Sequence, residues 1–221
     1  MNTKVVVFDF DGTLSKPSKL PNSWARVWDR IGCQEEDEKL YKLYSSREIT
    51  YREWTNLVLD IYKREKVSEI MLKDISNETI LISGLGELLK FFKNNSVDVY
   101  ILSGGIKNII EFSLLEYMPY IKKIEADKLI FNENKELTNI DFVDNSVENK
   151  SLFIFKIMEK LNLKSDEIVF VGNGSNDEDV YKTGVKTICI NPDDADFKNT
   201  VKWNHCIENC KNIMDILKFI D

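Results

Sequence analysis

Two aspartates, Asp9 and Asp11, follow a short run of β-branched and aromatic residues near the start of the chain. The run from Val5 to Phe8 predicts a buried strand, and the alternation of side chains places both carboxylates on one face at its carboxyl end. Two like charges so close together are unfavourable unless a cation lies between them or one of them acts as a nucleophile. A plain polar turn is the alternative, because Asp-Gly is a common turn pair. The spacing favours a metal-assisted or nucleophilic site.

Polar residues also follow two later predicted strands. Ser103 and Gly104 come directly after the apolar run 97–102, and a glycine-rich loop from Gly172 to Asp177 comes after the run 167–171. Ligands of open α/β sheets bind at the carboxyl ends of the strands, where loops and helix N-termini offer free N–H groups. We therefore expect the three loops to meet at one site.

A lysine is predicted to reach the same edge of the sheet. Lys150 opens the predicted helix that precedes the third of these strands, whereas the competing Lys156 and Lys160 lie further along that helix and should point to solvent. Carboxylates, a hydroxyl, N–H donors and one ammonium group suit a phosphoryl group held against Mg²⁺. This ion prefers oxygen ligands and rarely has a cage made only of protein groups.

The segment that follows the acidic pair has a helical pattern. Trp24, Val27, Trp28 and Ile31 share one helix face, and Thr50 to Glu53 has the form of a capping box. Residues 15–82 therefore predict several short helices without a convincing strand, and their many aromatic residues are assigned to a core. They form a predicted helical cap domain.

Helices and strands alternate after residue 83, which predicts a parallel sheet with crossover helices. Residues 122–143 predict an antiparallel excursion, and the residues from Ile213 to Ile220 predict a terminal helix. The fold class is therefore α/β, a Rossmann-like parallel sheet with helices on both faces. Residues 1–14 and 83–221 form the predicted core domain, and the cap is inserted after the first strand.

Composition limits the partners. The chain has 221 residues, a hydrophobic fraction of 43% and a formal net charge of −7, which argues against nucleic acid or an anionic membrane as a general partner. No stretch approaches the roughly 18 apolar residues of a spanning helix, so a cytoplasmic protein is expected. The four cysteines show no C-x-x-C pair, and the single His205 lacks the ligands for zinc. Monomer and homodimer both stay open.

The stretch from Asp9 to Leu14, Asp-Phe-Asp-Gly-Thr-Leu, resembles the D-x-D-G-T-L motif of the haloacid dehalogenase superfamily of phosphatases. The order of the later motifs is most similar to the phosphoserine phosphatase branch. The resemblance implies that Asp9 is the nucleophile that forms an aspartyl-phosphate. It implies that Asp11 is the general acid that protonates the leaving alcohol and later activates water.

The other motifs carry further roles by the same resemblance. Ser103 and Gly104 would hold phosphate oxygens, and Lys150 would neutralise charge between the nucleophile and the phosphate. The fourth motif normally opens Gly-Asp, but Asn173 stands there in this chain, with Asp177 retained. Mg²⁺ would be bound by Asp9, by the backbone carbonyl of Asp11, and by Asn173 and Asp177. One negative charge is missing from this ligand set.

The resemblance predicts a Mg²⁺-dependent hydrolase of a small phosphorylated metabolite. Phosphoserine itself is disfavoured, because Lys16, Ser18 and Lys19 stand where that branch carries an acidic residue. Arg47 and Arg52 of the cap are candidates for contact with a second anionic group of the substrate.

Three alternatives stay open. Because of Asn173, the chain could bind a phosphorylated ligand without turnover, as a pseudophosphatase. A phospho-acceptor switch also gathers acidic residues at strand ends, but such domains are about half as long and lack a helical insertion. Metal-free hydrolysis of a carbon–halogen bond would leave Asp11 without a purpose.

Overall fold

The computed structural model describes residues 2–16, 20, 22–143, 150–192 and 203–220. Within these ranges seven strands form one sheet in the order β4-β3-β2-β1-β5-β6-β7. The strands are β1 (Val5–Phe8), β2 (Asp98–Ile106), β3 (Ile121–Phe131), β4 (Leu137–Asp141), β5 (Ile168–Gly172), β6 (Lys186–Ile190) and β7 (His205–Ile207). All neighbours run parallel except β3 and β4. The α/β fold class is confirmed.

The described helices lie in the insertion and between the strands. They are α1 (Ser23–Ile31), α2 (Gln34–Ser45), α3 (Tyr51–Arg64), α4 (Glu69–Asn77), α5 (Leu85–Asn94), α6 (Lys107–Ser113) and α7 (Lys150–Leu161). Four 3-10 segments lie at Leu115–Tyr120, Ser165–Glu167, Ser175–Thr183 and Ile213–Phe219, and a π-type helical turn spans Phe10–Leu14.

Strand β1 lies at the centre of the sheet and is buried on both faces. Phe8 packs against Phe92 of α5, with ring centroids 6.4 Å apart. The preceding Val7 belongs to a cluster with Ile154 of α7. Since successive side chains of a strand point to opposite faces, helices cover both sides of the sheet, as expected.

The insertion between β1 and α5 contains α1 to α4 and no named strand. Its helix starts agree with local sequence signals: the Asn22 side chain accepts a hydrogen bond from Ala25 N, and Thr50 forms the predicted capping box with Glu53. The two ends of the insertion lie side by side. Ile82 N donates to the Leu14 carbonyl at 2.9 Å, so the chain leaves and re-enters the sheet at one point.

The aromatic residues of the insertion form a core that is shared with one edge of the sheet. Trp28 and Tyr62 are fully buried, and their cluster includes Leu129 of β3 and Ile140 of β4. The core interpretation is correct for these aromatics, but Tyr41 is 61% exposed. The insertion therefore packs on the hairpin β3–β4, and the exact domain boundary stays a prediction.

Several elements differ from expectation. The prediction of an antiparallel excursion instead of a crossover is wrong for the first part of residues 122–143. The chain crosses over through α6 after β2, and β3 then pairs in parallel with β2. Residues 132–135 form the turn between β3 and β4, where Lys135 N donates to the Asn132 carbonyl. The terminal helix Ile213–Phe219 is a 3-10 helix, and β7 carries no strong sequence signal because it has only three residues.

Candidate active site

A buried lysine joins two carboxylates at the carboxyl edge of the sheet. Asp9 directly follows β1, and Lys150 is the first residue of α7. Lys150 Nζ lies 2.8 Å from Asp9 Oδ1 and 2.6 Å from Asp177 Oδ1, and the Lys150 side chain is 0% exposed. An ammonium group buried so completely is stable only because both partners are charged acceptors. The structure thus brings together three residues that the sequence predicted for one site.

The electrostatics of this triad follow from burial. Burial raises the pKa of Asp9, the attraction of Lys150 lowers it and the neighbouring Asp177 raises it, and the net result is a pKa of about 7. Burial alone would lower the pKa of Lys150, but Asp177 and Asp9 outweigh it and raise that pKa instead. The site therefore holds its lysine charged.

Asp177 uses both of its carboxylate oxygens. Oδ1 accepts from Lys150, and Oδ2 accepts the N–H groups of Asn173 at 3.0 Å and Gly174 at 3.1 Å. Through the Gly174 N–H, Asp177 also satisfies a backbone donor at the start of the 3-10 segment Ser175–Thr183. Asp177 fixes the loop after β5 and the lysine at once.

Asn173 lies over the turn that follows Asp9. The Thr13 hydroxyl is 3.3 Å from both Asp9 Oδ2 and Asn173 Oδ1, so these two oxygens face one common point. Gly12 has φ +78°, and a Cβ atom there would lie 2.3 Å from Asn173 Nδ2. Glycine is required at this position both for the backbone and for the space that Asn173 occupies.

Asp11 is held by the insertion. Its Oδ2 accepts a hydrogen bond from the N–H of Ser23 at 3.2 Å and from the hydroxyl of Ser23 at 3.1 Å. Its Oδ1 is buried and finds no hydrogen-bond partner among the described residues. Burial raises the pKa of Asp11, against the hydrogen bond from the Ser23 backbone. Sequence reasoning missed Ser23, whose only local signal is its place after the helix-capping Asn22.

The end of β2 lies beside Asp11. Ser103 is buried and its hydroxyl accepts from Gly105 N, while the Gly104 carbonyl accepts from Trp24 Nε1 at 2.8 Å. A Cβ atom on Gly105 would lie 2.6 Å from Asp11 Oδ2 and 3.3 Å from Ser103 Oγ. The predicted phosphate-binding pair thus adjoins the acidic pair, although its residues end β2 rather than follow it.

The two candidate arginines lie elsewhere. Arg47 is exposed in the turn after α2 with φ +62°, and the Arg52 guanidinium lies 5.2 Å from the centre of the Phe142 ring. Within the described part of the chain, neither takes part in the hydrogen bonds of Asp9, Asp11 or Asp177. Their role in substrate binding stays a prediction.

A third buried carboxylate, Asp127 of β3, was not predicted. It accepts hydrogen bonds from the Tyr51 hydroxyl of α3 and from Val143 N, the latter at 2.7 Å. Burial raises the pKa of Asp127 to about 6, although both donors oppose that rise. A single acidic residue in a strand of mixed polarity gives no signal of such pairing in the sequence.

The oxygen-rich side of the site suits a hard cation. Asp9 Oδ2 and Asn173 Oδ1 share the Thr13 hydroxyl and accept no charged donor from the part of the chain that the structure describes, and Mg²⁺ prefers such oxygen ligands. Among the described residues, no three His, Cys, Asp or Glu side chains converge as a metal cluster, and the side chain at position 173 is a neutral amide. The donors fit Mg²⁺ with fewer charges than three carboxylates would supply.

In the described ranges, no helix has both the length and the apolar character needed to cross a bilayer.

Curated relatives include a phosphoserine phosphatase from Methanocaldococcus jannaschii. It is 25% identical over an alignment of 226 residues, which covers 98% of this chain and 97% of the relative. A phosphoserine phosphatase from Campylobacter jejuni subsp. doylei is 23% identical over 189 residues, which cover 83% and 85% of the two chains.

The fold is shared with solved structures. A phosphoserine phosphatase that carries an analogue of its phospho-aspartyl intermediate superposes with a TM-score of 0.73, at 20% identity and with 99% of both chains covered. A family model described as haloacid dehalogenase-like hydrolase matches residues 3–180. The expected likeness to the phosphoserine phosphatase branch is confirmed, and the chain belongs to the haloacid dehalogenase-like hydrolase family.

Proposed function

We propose that this chain hydrolyses a small phosphomonoester through an aspartyl-phosphate on Asp9, with Mg²⁺ as cofactor. The observation that carries the proposal is the contact of Lys150 with both Asp9 and Asp177 in a buried site. A fixed positive charge next to the nucleophile stabilises the charge of the transferring phosphoryl group, which is the main task in this chemistry.

In the first step a carboxylate oxygen of Asp9 forms a bond to phosphorus while the bond from phosphorus to the substrate oxygen breaks. Asp11, whose pKa is raised by burial, donates its proton to the leaving oxygen, and an alcohol departs. In the second step Asp11 takes a proton from water, the water oxygen bonds to phosphorus, and the bond to Asp9 breaks. Inorganic phosphate leaves and both aspartates regain their starting states.

The remaining residues hold the phosphoryl group and the cation. Ser103 and Gly104 would bind phosphate oxygens. Mg²⁺ would be held by Asp9, by the Asp11 carbonyl and by Asn173, and when bound it supplies charge neutralisation and orientation of the phosphate. Asp177 would be the fourth ligand, and its hydrogen bonds also position Lys150 and the 173–174 backbone.

The substrate is proposed to be a small metabolite, because α1 of the insertion lies beside the site and brings Ser23 and Trp24 into contact with it. Such an enclosure suits a small leaving group and excludes water during attack. The named relatives are phosphoserine phosphatases. For this chain the stretch with Lys16, Ser18 and Lys19, where that branch carries an acidic residue, favours a substrate without an ammonium group.

The test is a turnover screen over small phosphomonoesters with and without Mg²⁺, with phosphate release as the readout. Asp9→Asn should abolish turnover with the fold retained, whereas Asp29→Asn on the surface of α1 should leave the rate unchanged. Hydroxylamine-labile phosphate should be found on the wild-type peptide that contains Asp9. Normal turnover by the Asp9→Asn variant would overturn the mechanism.

The second candidate is binding without turnover. The neutral Asn173 favours it, because one negative charge that would attract Mg²⁺ is absent. A chain that binds phosphomonoesters tightly in calorimetry but releases no phosphate at any Mg²⁺ concentration would decide for this pseudophosphatase.

A further inference from the structure

Ser23 uses its backbone and its side chain on the same carboxylate. Its N–H and its hydroxyl both donate to Asp11 Oδ2, at 3.2 and 3.1 Å. The hydroxyl oxygen in turn accepts the N–H of Ile106 at 2.8 Å. Ser23 is 0% exposed, so no solvent competes for these bonds. One side chain of α1 thereby ties the Asp11 carboxylate to the end of β2.

The arrangement leaves Asp11 little freedom to rotate. A Cβ atom on Gly105 would lie 2.4 Å from Ser23 Oγ and 2.6 Å from Asp11 Oδ2, so the contact is packed directly against bare backbone. With Oδ2 bound on one side and closely packed on the other, Oδ1 is the carboxylate oxygen without a partner in the described part of the chain. Oδ1 is the atom available for proton transfer.

We infer that Ser23 is a positioning residue for the proton transfer by Asp11, and this inference rests on the proposed function. By holding Oδ2, Ser23 turns Oδ1 toward the leaving group. Ser23 belongs to the insertion and not to the sheet, so Asp11 is aligned only while α1 is docked on β2. The neighbouring bond from Trp24 Nε1 to the Gly104 carbonyl strengthens the same docking.

A comparison of substrates with different leaving groups distinguishes this positioning role of Ser23 from general damage to the site. A phosphate ester of a simple alcohol needs a proton on its leaving oxygen, whereas a nitrophenyl phosphate expels a stable phenolate without one. Ser23→Ala keeps the N–H and removes the hydroxyl. It should lower kcat for alkyl phosphates roughly 10- to 100-fold with little change in KM, since misplacement of a catalytic group has effects of this size. The rate of the nitrophenolate burst, which reports the first step alone, should fall much less, because Asp11 acts on nitrophenyl phosphate only as the base of the second step.

A matched control is available in the same insertion. Ser76 of α4 is also buried, but its hydroxyl donates to the Lys73 carbonyl within its own helix. Ser76→Ala should change alkyl and nitrophenyl phosphate turnover equally little. Ser23→Thr, which restores a hydroxyl, should recover the alkyl phosphate rate.

A double-mutant cycle with Asp11→Asn decides whether Ser23 acts through Asp11. In the Asp11→Asn background, Ser23→Ala should have no further effect on alkyl phosphate turnover. If Ser23→Ala fails to fold, Gly105→Ala serves instead, because its new methyl group displaces the same contact and should give the same selective loss.

An equal loss in alkyl phosphate turnover and in the nitrophenolate burst rate, or an undiminished effect in the Asp11→Asn background, would overturn the inference while the proposed function stands. A wild-type chain that hydrolyses no phosphomonoester would refute the proposed function, and the inference would fall with it. Unchanged alkyl phosphate turnover in both Ser23→Ala and Gly105→Ala would likewise overturn the role of Ser23 alone.

Discussion

The Tyr51 hydroxyl donates a hydrogen bond to Asp127 Oδ2 and so joins the first residue of α3 to a fully buried position of β3. The Tyr51 ring also stacks on Trp54, with centroids 5.5 Å apart. A phenol and a carboxylate thus connect the helical insertion to the sheet at a second place, separate from the contact that Ser23 makes. Burial raises the pKa of both groups. The charge of Asp127 raises the pKa of Tyr51 further, whereas the hydrogen bond from Tyr51 lowers the pKa of Asp127.

Tyr51→Phe should destabilise the fold in a pH-dependent manner. The pKa of Asp127 is raised to about 6 in the folded chain, so its stabilising contribution is complete below the unfolded pKa near 3.9 and is lost as pH rises through 6. Removal of the Tyr51 donor leaves the ionised form worse solvated and raises that pKa further. Urea unfolding should show a loss of about 1 kcal/mol at pH 4.5 and about 2–3 kcal/mol at pH 8.

Tyr41→Phe is the control for that experiment, because Tyr41 is 61% exposed on α2. Its effect should be small and equal at both pH values. A pH-independent loss in Tyr51→Phe would show that Asp127 does not titrate against this contact.

Gly12→Ala should disturb the site more than its backbone conformation alone explains. Gly12 and Gly32 have similar positive φ values of +78° and +72°, but only at Gly12 would a Cβ atom meet a side chain, that of Asn173. Gly32→Ala should cost about 1 kcal/mol of unfolding free energy, and Gly12→Ala about 1–3 kcal/mol more. Equal losses in thermal unfolding would show that Asn173 moves aside freely.

Asn173→Asp should make stability depend on Mg²⁺. The new carboxylate would face Asp9 across the Thr13 hydroxyl, so repulsion should lower Tm in EDTA, and added Mg²⁺ should raise Tm more than in the wild type. Magnesium half-saturation of turnover should also fall. Intact mass must first exclude deamidation of the Asn173-Gly174 pair. Identical Mg²⁺ titrations of the two proteins would show that residue 173 does not bind the metal.

Lys150→Met should destabilise the chain strongly. It removes the shared cation and leaves Asp9 and Asp177 buried without a charged partner, which costs about 3–5 kcal/mol. Lys156→Met on the exposed side of the same helix should change unfolding by less than about 0.5 kcal/mol. Unfolding curves that coincide for the two variants would contradict the buried triad.

The structural features that could be predicted from the sequence are those that follow from the periodicity of buried residues and from the spacing of glycines. The β1 run is apolar on both faces because helices cover both faces, and the helix period of α1 reflects one buried side. The convergence of Asp9, Lys150 and Asp177 followed from the rule that strand ends share an edge. The roles predicted for these residues are chemical and await the experiments above.

Other features depend on tertiary neighbours and left no trace in local spacing. Ser23 is an ordinary first-turn serine until Ile106 and Asp11 are brought to it, and Asp127 is an ordinary strand residue until Tyr51 reaches it. The 3-10 form of Ile213–Phe219 has apolar spacing similar to that of an α-helix, so periodicity could not separate the two. The parallel pairing of β2 and β3 was missed because β3 pairs in parallel with β2 over its first part and antiparallel with β4 over its second, and only the second pairing was predicted.

The hydrogen bond between the Leu14 carbonyl and Ile82 N has a consequence for recombination and design. Because its two ends are hydrogen-bonded to each other, the helical insertion connects two neighbouring points of the sheet as a short loop would. The entropic cost of closing a loop grows only slowly with its length. A foreign module could be grafted between these two residues without stretching the chain. What limits such grafts is coverage, since any replacement must shield the apolar faces of Leu129 and Ile140 that the native aromatics now cover.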